Sequence, residues 1–395
     1  MGSIDDLPDS NSPNLGLDHP TPNECAKIWT NTSASWKDAL TVTAYLTESQ
    51  YLTTVPLAKN GGMTTWILVD KGLRPDERPI LCSCESFRKR SLTSDAEGMV
   101  EETIIHGIAS VFCPPEYRGR GYAARHMTEV ARMLPEWQSE YGRCVGSVLY
   151  SDIGKTYYRK FGWNPTGNNS HLVLPPIQMK WPTEAREVIE EELEGLCQRD
   201  EAMVRAVMAM PLENVEKRVT ILPDLDHMLW HIRKEDFATR YIFGNVPQAK
   251  GAIAGKPGCE AWAIWTRRYY RHPDEGSFDN VLYILRLVLE GDETANKPYS
   301  SAGVGCPRNG TTKQLAALRA VLQAAQAEAA KWQLNHIKLW EPSPLVKRLI
   351  AENGIEHVEV MREKESIASG LWYDENGAQR GESPAWINNE YYAWC

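Results

Sequence analysis

The sequence predicts an α+β protein with two successive units of one plan: strand, loop, helix, strand, then a short helix closed by glycine. Three observations carry this. Apolar and β-branched runs are separated by turn residues, without the steady βα alternation of a doubly wound sheet. Met127, Val130, Ala131 and Leu134 have the i, i+3, i+4, i+7 spacing of a helix with one buried face. The order of elements then recurs, with roughly 45 residues from Arg118 to Gly162 and again from Arg308 to Gly354, a weak internal repeat.

Residues 1–22, rich in Asp, Asn, Pro and Ser, are expected to form a flexible N-terminal arm. A weak helix signal over 23–29 precedes strands over 64–70 and 79–91. Residues 100–113 form the next strand, which stops at Pro114-Pro115 because proline has no N–H for a ladder. The helix through Met127 ends near Pro135, and a strand over 144–150 follows. A short helix over 153–161 closes at Gly162, which suits a left-handed C-cap. Pro165, Pro175, Pro176 and Pro182 mark an irregular passage before helical patterns over 183–199 and 224–241. The acidic run Glu187 to Glu194 reads as a solvated helix face. Strands over 262–270 and 281–289 then lead to a long helix from Thr311, with Thr311 and Gln314 as a capping box. A strand over 336–340, a short helix ending at Gly354 and a strand over 355–361 complete the second unit.

A chain of 395 residues with 42% hydrophobic and 24% charged residues is globular and long enough for two sizeable cores. Its net charge of −9 disfavours a nucleic-acid backbone as partner and favours cationic small molecules. No apolar stretch approaches the roughly 20 residues of a membrane span. Nine scattered cysteines and the absence of an apolar leader in the first thirty residues point to a cytoplasmic protein. Cys82 and Cys84 share one face of a strand without a second ligand pair, so no metal site is expected.

The run Arg118-Gly119-Arg120-Gly121-Tyr122-Ala123, between a strand and a helix, has the makings of a pyrophosphate cradle. Its glycines let backbone N–H groups face a ligand, and the helix start adds a positive field. In the second unit Arg308 is followed by Asn-Gly-Thr-Thr-Lys, without the second glycine in register. Only the first unit is therefore expected to hold a phosphate.

Two motifs in this order resemble the GNAT acetyltransferases: Arg118 to Ala123 matches the Q/R-x-x-G-x-G/A signature, and Tyr157-Tyr158-Arg159-Lys160-Phe161-Gly162-Trp163 matches the family's aromatic short helix. The resemblance implies a GNAT fold, a mixed and mostly antiparallel sheet flanked by helices, followed by a second, degenerate GNAT-like lobe. It divides the chain into the arm 1–22, a catalytic domain 23–172, a helical connector 173–240 and a lobe 241–395 with an aromatic tail. It implies acetyl-coenzyme A as cosubstrate, with its pyrophosphate on Arg118, Gly119, Arg120, Gly121, Tyr122 and Ala123 and its pantetheine along Val111, Phe112 and Cys113. Tyr158 matches the tyrosine that protonates the departing thiolate, a role favoured here over that of a core aromatic on a short helix.

Attack on a thioester needs a neutral amine, because an ammonium of pKa roughly 10.4 has no lone pair. Candidate bases are His106, Glu102 or its neighbour Glu101, and the terminal carboxylate at Cys395. His106 shares a strand face with Ile108, Ser110 and Phe112, so it reads equally as a packed core residue. The tail from Trp386 to Cys395 is unusually aromatic, which suggests docking, either as an edge strand or into the site. Trp386, Glu390, Tyr391 and Tyr392 are candidates for substrate contact, as are Glu85 and Glu341 for a cationic group.

The two-lobe plan and the tail resemble the fungal L-lysine N6-acetyltransferase family. That resemblance implies acetyl transfer to the side-chain amine of L-lysine by direct attack in a ternary complex. Two other acceptors stay open, a different small amine such as a fungal secondary metabolite and a protein lysine. So does a pseudo-acetyltransferase that binds acyl-coenzyme A without turnover. Oligomeric state is not legible.

Overall fold

The computed structural model describes residues 7–213, 215–276, 279–291, 308–379 and 383–394, without the side chains of 308–312. The chain opens with strand β1 (Leu15–Asp18), antiparallel to β2 (Met63–Asp70). Leu7 packs beside Leu15 and Tyr122. The expected flexible arm is thus built into the fold from residue 7, because its apolar residues find a surface to cover. Helix α1 (Pro22–Trp36) starts where Thr21 and Glu24 form a reciprocal capping box with Pro22 in the first turn. Helix α2 (Val42–Leu52) turns Tyr45, Glu48 and Leu52 inward.

The strands β3 (Cys82–Asp95) and β4 (Val100–Phe112) form a long hairpin, and α3 (Tyr122–Met133) crosses to β5 (Cys144–Ser151), which is parallel to β4. Short strands β6 (Asn164–Pro165), β7 (Ser170–Leu174) and β8 (Ala185–Val188) precede α4 (Leu193–Met208), β9 (Lys217–Ile221) and α5 (Leu225–Phe243). The second half holds β10 (Gly251–Ala254), β11 (Ala261–Arg268), β12 (Val281–Leu289), α6 (Arg308–Lys331), β13 (His336–Trp340), α7 (Pro344–Glu352), β14 (Val358–Met361), β15 (Ile367–Trp372) and β16 (Ala385–Trp386).

Among the described residues these strands make a nine-stranded and a seven-stranded sheet. Neither belongs to one stretch of chain. The first runs β1-β2-β3-β4-β5-β15-β6, with β9 on the far end of β3 and β16 on β9; the second runs β14-β7-β13-β12-β11-β10-β8. Strand β15, late in the sequence, lies against β5, while β7, from the first half, lies against β13. The two halves have exchanged strands, so residues 173–240, expected as a helical connector, contribute β8 to one sheet and β9 to the other.

The recurring crossover is present in both sheets. Strands β12 and β13 are parallel with α6 between them, as β4 and β5 are with α3. Helix α6 lays Leu318, Leu322, Ala325 and Ala329 on the second sheet, the stripe its periodicity predicts. It already runs from Arg308, so Thr311 is not its cap, and Gln314 instead donates to the Glu290 carbonyl at 3.1 Å. Within the acidic run, Glu190 pairs with Arg233 and Glu192 with Arg186, so part of it holds the fold rather than facing only water.

Candidate active site

Strand β4 outruns its partner. Its pairing with β5 ends at Ile108 opposite Leu149, yet it continues to Phe112. At Ser110 the backbone enters the left-handed region (φ 54°), and the register with β3 shifts between Ser83 and Glu85. This bulge turns β4 away from β5 and leaves a wedge between them.

A cavity of about 390 Å³ reaches this point, lined by Glu85, Ser110, Val111, Tyr158, Lys234 and Trp394 among others. Its remaining walls come from α1, α2 and the end of β5. Glu85 accepts a hydrogen bond from the Ser110 hydroxyl at 2.8 Å. Burial raises the Glu85 carboxyl above its usual range, opposed by that hydrogen bond and by the charge of Lys234. Burial likewise pushes the Tyr158 phenol well up, so it stays protonated across the neutral range. Tyr158 heads a 3-10 turn ended by Gly162 in the left-handed conformation expected for it.

Beyond the wedge lies the cradle. Arg118 donates from Nε to the Cys113 carbonyl at 2.9 Å, fastening the end of β4. Gly119 (φ 78°) and Gly121 (φ 87°) both have left-handed backbone, and a Cβ on Gly119 would point into open space. No side chain caps α3 at Gly121, so its first-turn N–H groups are left for a ligand. An uncapped helix start, a left-handed glycine pair and an unpaired strand edge fit the pyrophosphate and amide groups of a coenzyme A thioester.

Several sequence candidates lie elsewhere. His106 is buried between Gln138 (3.3 Å) and the Cys144 thiol (3.4 Å), burial lowers it to about 4, and it does not line the cavity. Glu102 is exposed at the start of β4, paired with Arg90 and Arg205, which hold its carboxyl below the usual range. Glu101 pairs with Arg143 beside it. Neither lines the cavity, because the hairpin carries the start of β4 away from it.

The tail docks, though not as an edge strand alone. Trp386 packs against Tyr150 and Trp372 as part of β16. Glu390 is buried, ion-paired with Arg286 and accepting from the Leu287 N–H at 3.0 Å. Tyr391 stacks on Tyr283 at 3.8 Å between ring centres, and the Tyr392 hydroxyl donates to the Ile221 carbonyl at 2.6 Å. None of these four lines the cavity at the wedge; they hold the tail. Trp394 does line it, while Cys395 lies outside the described residues. Glu341 bonds Asn389 and Arg362, away from the wedge.

Sequence reasoning missed Ser110, Glu48, Lys234 and Arg268, all on the cavity wall. Glu48 carried a signal, since it sits with Tyr45 and Leu52 on the inward stripe of α2, where an acid needs a partner. Its partner is Lys234, at 2.9 Å.

The paired sheets, the splayed β4 and β5 and the cradle together define a GNAT fold with a second lobe. Residues 171–395, more than half of the chain, match the LYC1 GNAT-like C-terminal domain, and the chain belongs to that family. A lysine acetyltransferase of Yarrowia lipolytica is 28% identical over 122 residues, covering 27% of this chain and 29% of that protein. The Saccharomyces cerevisiae protein YGR111W is 22% identical over 241 residues, covering 52% of this chain and 60% of its own. The chain thus aligns with less than two thirds of either relative. In fold it is similar to S. cerevisiae N-myristoyltransferase with bound myristoyl-CoA, with a TM-score of 0.52 and 6% identity over 98% of this chain and 87% of that one.

Proposed function

We propose that this chain transfers the acetyl group of acetyl-coenzyme A to the primary amine of a small cationic substrate, foremost the side-chain amine of L-lysine, by direct attack in a ternary complex. The observation that carries the reading is that Glu85 and Tyr158 line one cavity at the bulge where β4 leaves β5. The cradle from Arg118 to Ala123 would take the pyrophosphate and the free edge of Val111 to Cys113 the pantetheine.

Glu85 is the base in this reading. Its raised carboxyl binds a proton more readily than an exposed one, and the incoming ammonium gives up its proton there. The neutral amine then attacks the thioester carbonyl carbon, the carbon–sulfur bond breaks, and the departing thiolate takes the Tyr158 hydroxyl proton. The size of the cavity, about 390 Å³ with the tail residue Trp394 in its wall, favours a small acceptor over a protein lysine. Seven cysteines among the described residues are free thiols, in keeping with a cytoplasmic setting.

Incubation with acetyl-coenzyme A and L-lysine should release free thiol and yield N6-acetyl-lysine by mass spectrometry. Binding of acetyl-coenzyme A without thiol release across a panel of amines would leave a binder instead.

A further inference from the structure

The cavity wall carries one ion pair and the cation of a second, whose carboxylate, Asp38, faces a smaller adjoining pocket. Lys234 on α5 donates from Nζ to Glu48 on α2 at 2.9 Å. Arg268 at the end of β11 donates to both oxygens of Asp38, from Nε at 2.9 Å and from Nη2 at 3.3 Å. The Arg268 guanidinium also lies 5.1 Å from the Trp394 ring centre. Lys234 and Arg268 line the cavity, and their side chains keep 26% and 15% exposure. Lys234 has N–H groups beyond the one given to Glu48.

Charge arithmetic makes this wall unusual. The two pairs sum to zero, so they draw neither a lone anion nor a lone cation strongly. A zwitterion is different: its carboxylate can meet the spare donors of Lys234 and Arg268 while its ammonium meets Glu48, which lines the same cavity. Glu85 is a further carboxylate of the same cavity, and it accepts from the neutral Ser110 hydroxyl. It is left for a separate cationic group. The cavity thus has a dipolar end and a singly anionic end.

We propose that Lys234, Glu48 and Arg268, the last held by Asp38, form a subsite for the α-amino and carboxylate groups of a free amino acid, with Lys234 and Arg268 selecting such a zwitterion over a plain diamine. This rests on the acetyl-transfer reading and adds what decides the acceptor. The dipolar end takes the head of the amino acid, and Glu85 takes the amine at the end of its side chain. A diamine of equal length could still bring its second ammonium to Glu48, but it has no carboxylate for the spare donors of Lys234 and Arg268.

The test compares L-lysine with cadaverine, which has the same reacting amine and no carboxylate. The wild-type protein should favour L-lysine in kcat/KM by about 10- to 100-fold, the worth of one or two charged hydrogen bonds. The double variant Lys234→Met with Glu48→Gln removes a pair without stranding a charge. It should lose most of that preference, and Arg268→Gln part of it, with thermal melts confirming folded protein. Equal use of both amines by the wild type, or a ratio unmoved in the variants, overturns the subsite. If no amine is acetylated, the transfer reading has failed separately. Calorimetric titration of the coenzyme A complex then still decides the subsite: L-lysine binding weakened in the double variant supports it, and equal binding of L-lysine and cadaverine overturns it.

Discussion

The crossovers β4–α3–β5 and β12–α6–β13 are the same piece of geometry put to opposite uses. In each, the first strand outruns its parallel partner, β4 after Ile108 and β12 after Ile284. In the first lobe the released edge borders a cavity of about 390 Å³. In the second the chain's own tail fills the gap: Glu390 takes the Leu287 N–H, and Tyr391 sits between Tyr283 and Trp340. An unpaired strand edge must be satisfied by something, and burying it bare would cost about as much as a lost hydrogen bond per group. One lobe meets that need with its own tail, and the other is left open to a ligand.

The sharpest way to break this contrast is at Glu85. Glu85→Gln should lower kcat/KM by about 10²- to 10⁴-fold, the usual worth of a positioned base. In the wild type, activity should fall on the acid side as Glu85 gains a proton, at a pH above the ordinary carboxylate range because its carboxyl is raised. A variant within a few-fold of wild type would show that the open lobe does not depend on this acid. His106 should add no limb near neutrality. Its lowered value of about 4, against 6.5 in the unfolded chain, means the unfolded state binds the extra proton between those values. Its contribution to stability is therefore full above pH 6.5 and lost as pH falls toward 4, which urea melts across that window would read.

Glu390→Ala unplugs the filled lobe. Arg286 would keep Asp200 but lose its second carboxylate, and Leu287 N–H would be bare. A loss of about 3 kcal/mol in unfolding free energy is expected from breaking a buried pair, over a hundredfold in the folding equilibrium. A melt within a degree of wild type would mean the tail is not what holds that groove closed.

Tyr158→Phe should lower kcat by about 10- to 100-fold and leave the KM for acetyl-coenzyme A nearly unchanged, since only the proton for the thiolate is lost. The smallest effect is expected at the cradle. Gly121→Ala forces a Cβ onto left-handed backbone, 2.7 Å from the Ser10 hydroxyl oxygen, at a cost of about 1 kcal/mol or more. The KM for acetyl-coenzyme A should rise several-fold with kcat held. A large fall in kcat instead would tie the cradle to the chemistry and not to binding.

Much of the first lobe was legible because its signals are local. The turn at Gly119 and Gly121, the stop at Gly162 and the stripe of α3 depend on residues within a few positions of each other. The repeat was legible for the same reason. Strands β13 and β14 were legible from their place in the repeat, whereas β1, β6 to β10 and β15 were not, since strands of two to six residues leave a short pattern. Their exchange between sheets is a matter of register with partners far along the chain. The candidates His106 and Glu102 lie away from the cavity because proximity to the cradle in sequence is not proximity in space. A strand of 13 residues carries its two ends more than a cavity's width apart.

By itself, then, the sequence determined the fold class, the left-handed turn at Gly119 and Gly121 and the turn of Tyr158 closed by Gly162, all written in backbone conformation and short-range periodicity. Only the tertiary structure decided which acid faces the bulge, where the tail goes and how the cavity ends. Those depend on burial and on charges brought together from α2, α5, β3 and β11, and neither dielectric environment nor ion pairing across such distances leaves a mark in local sequence.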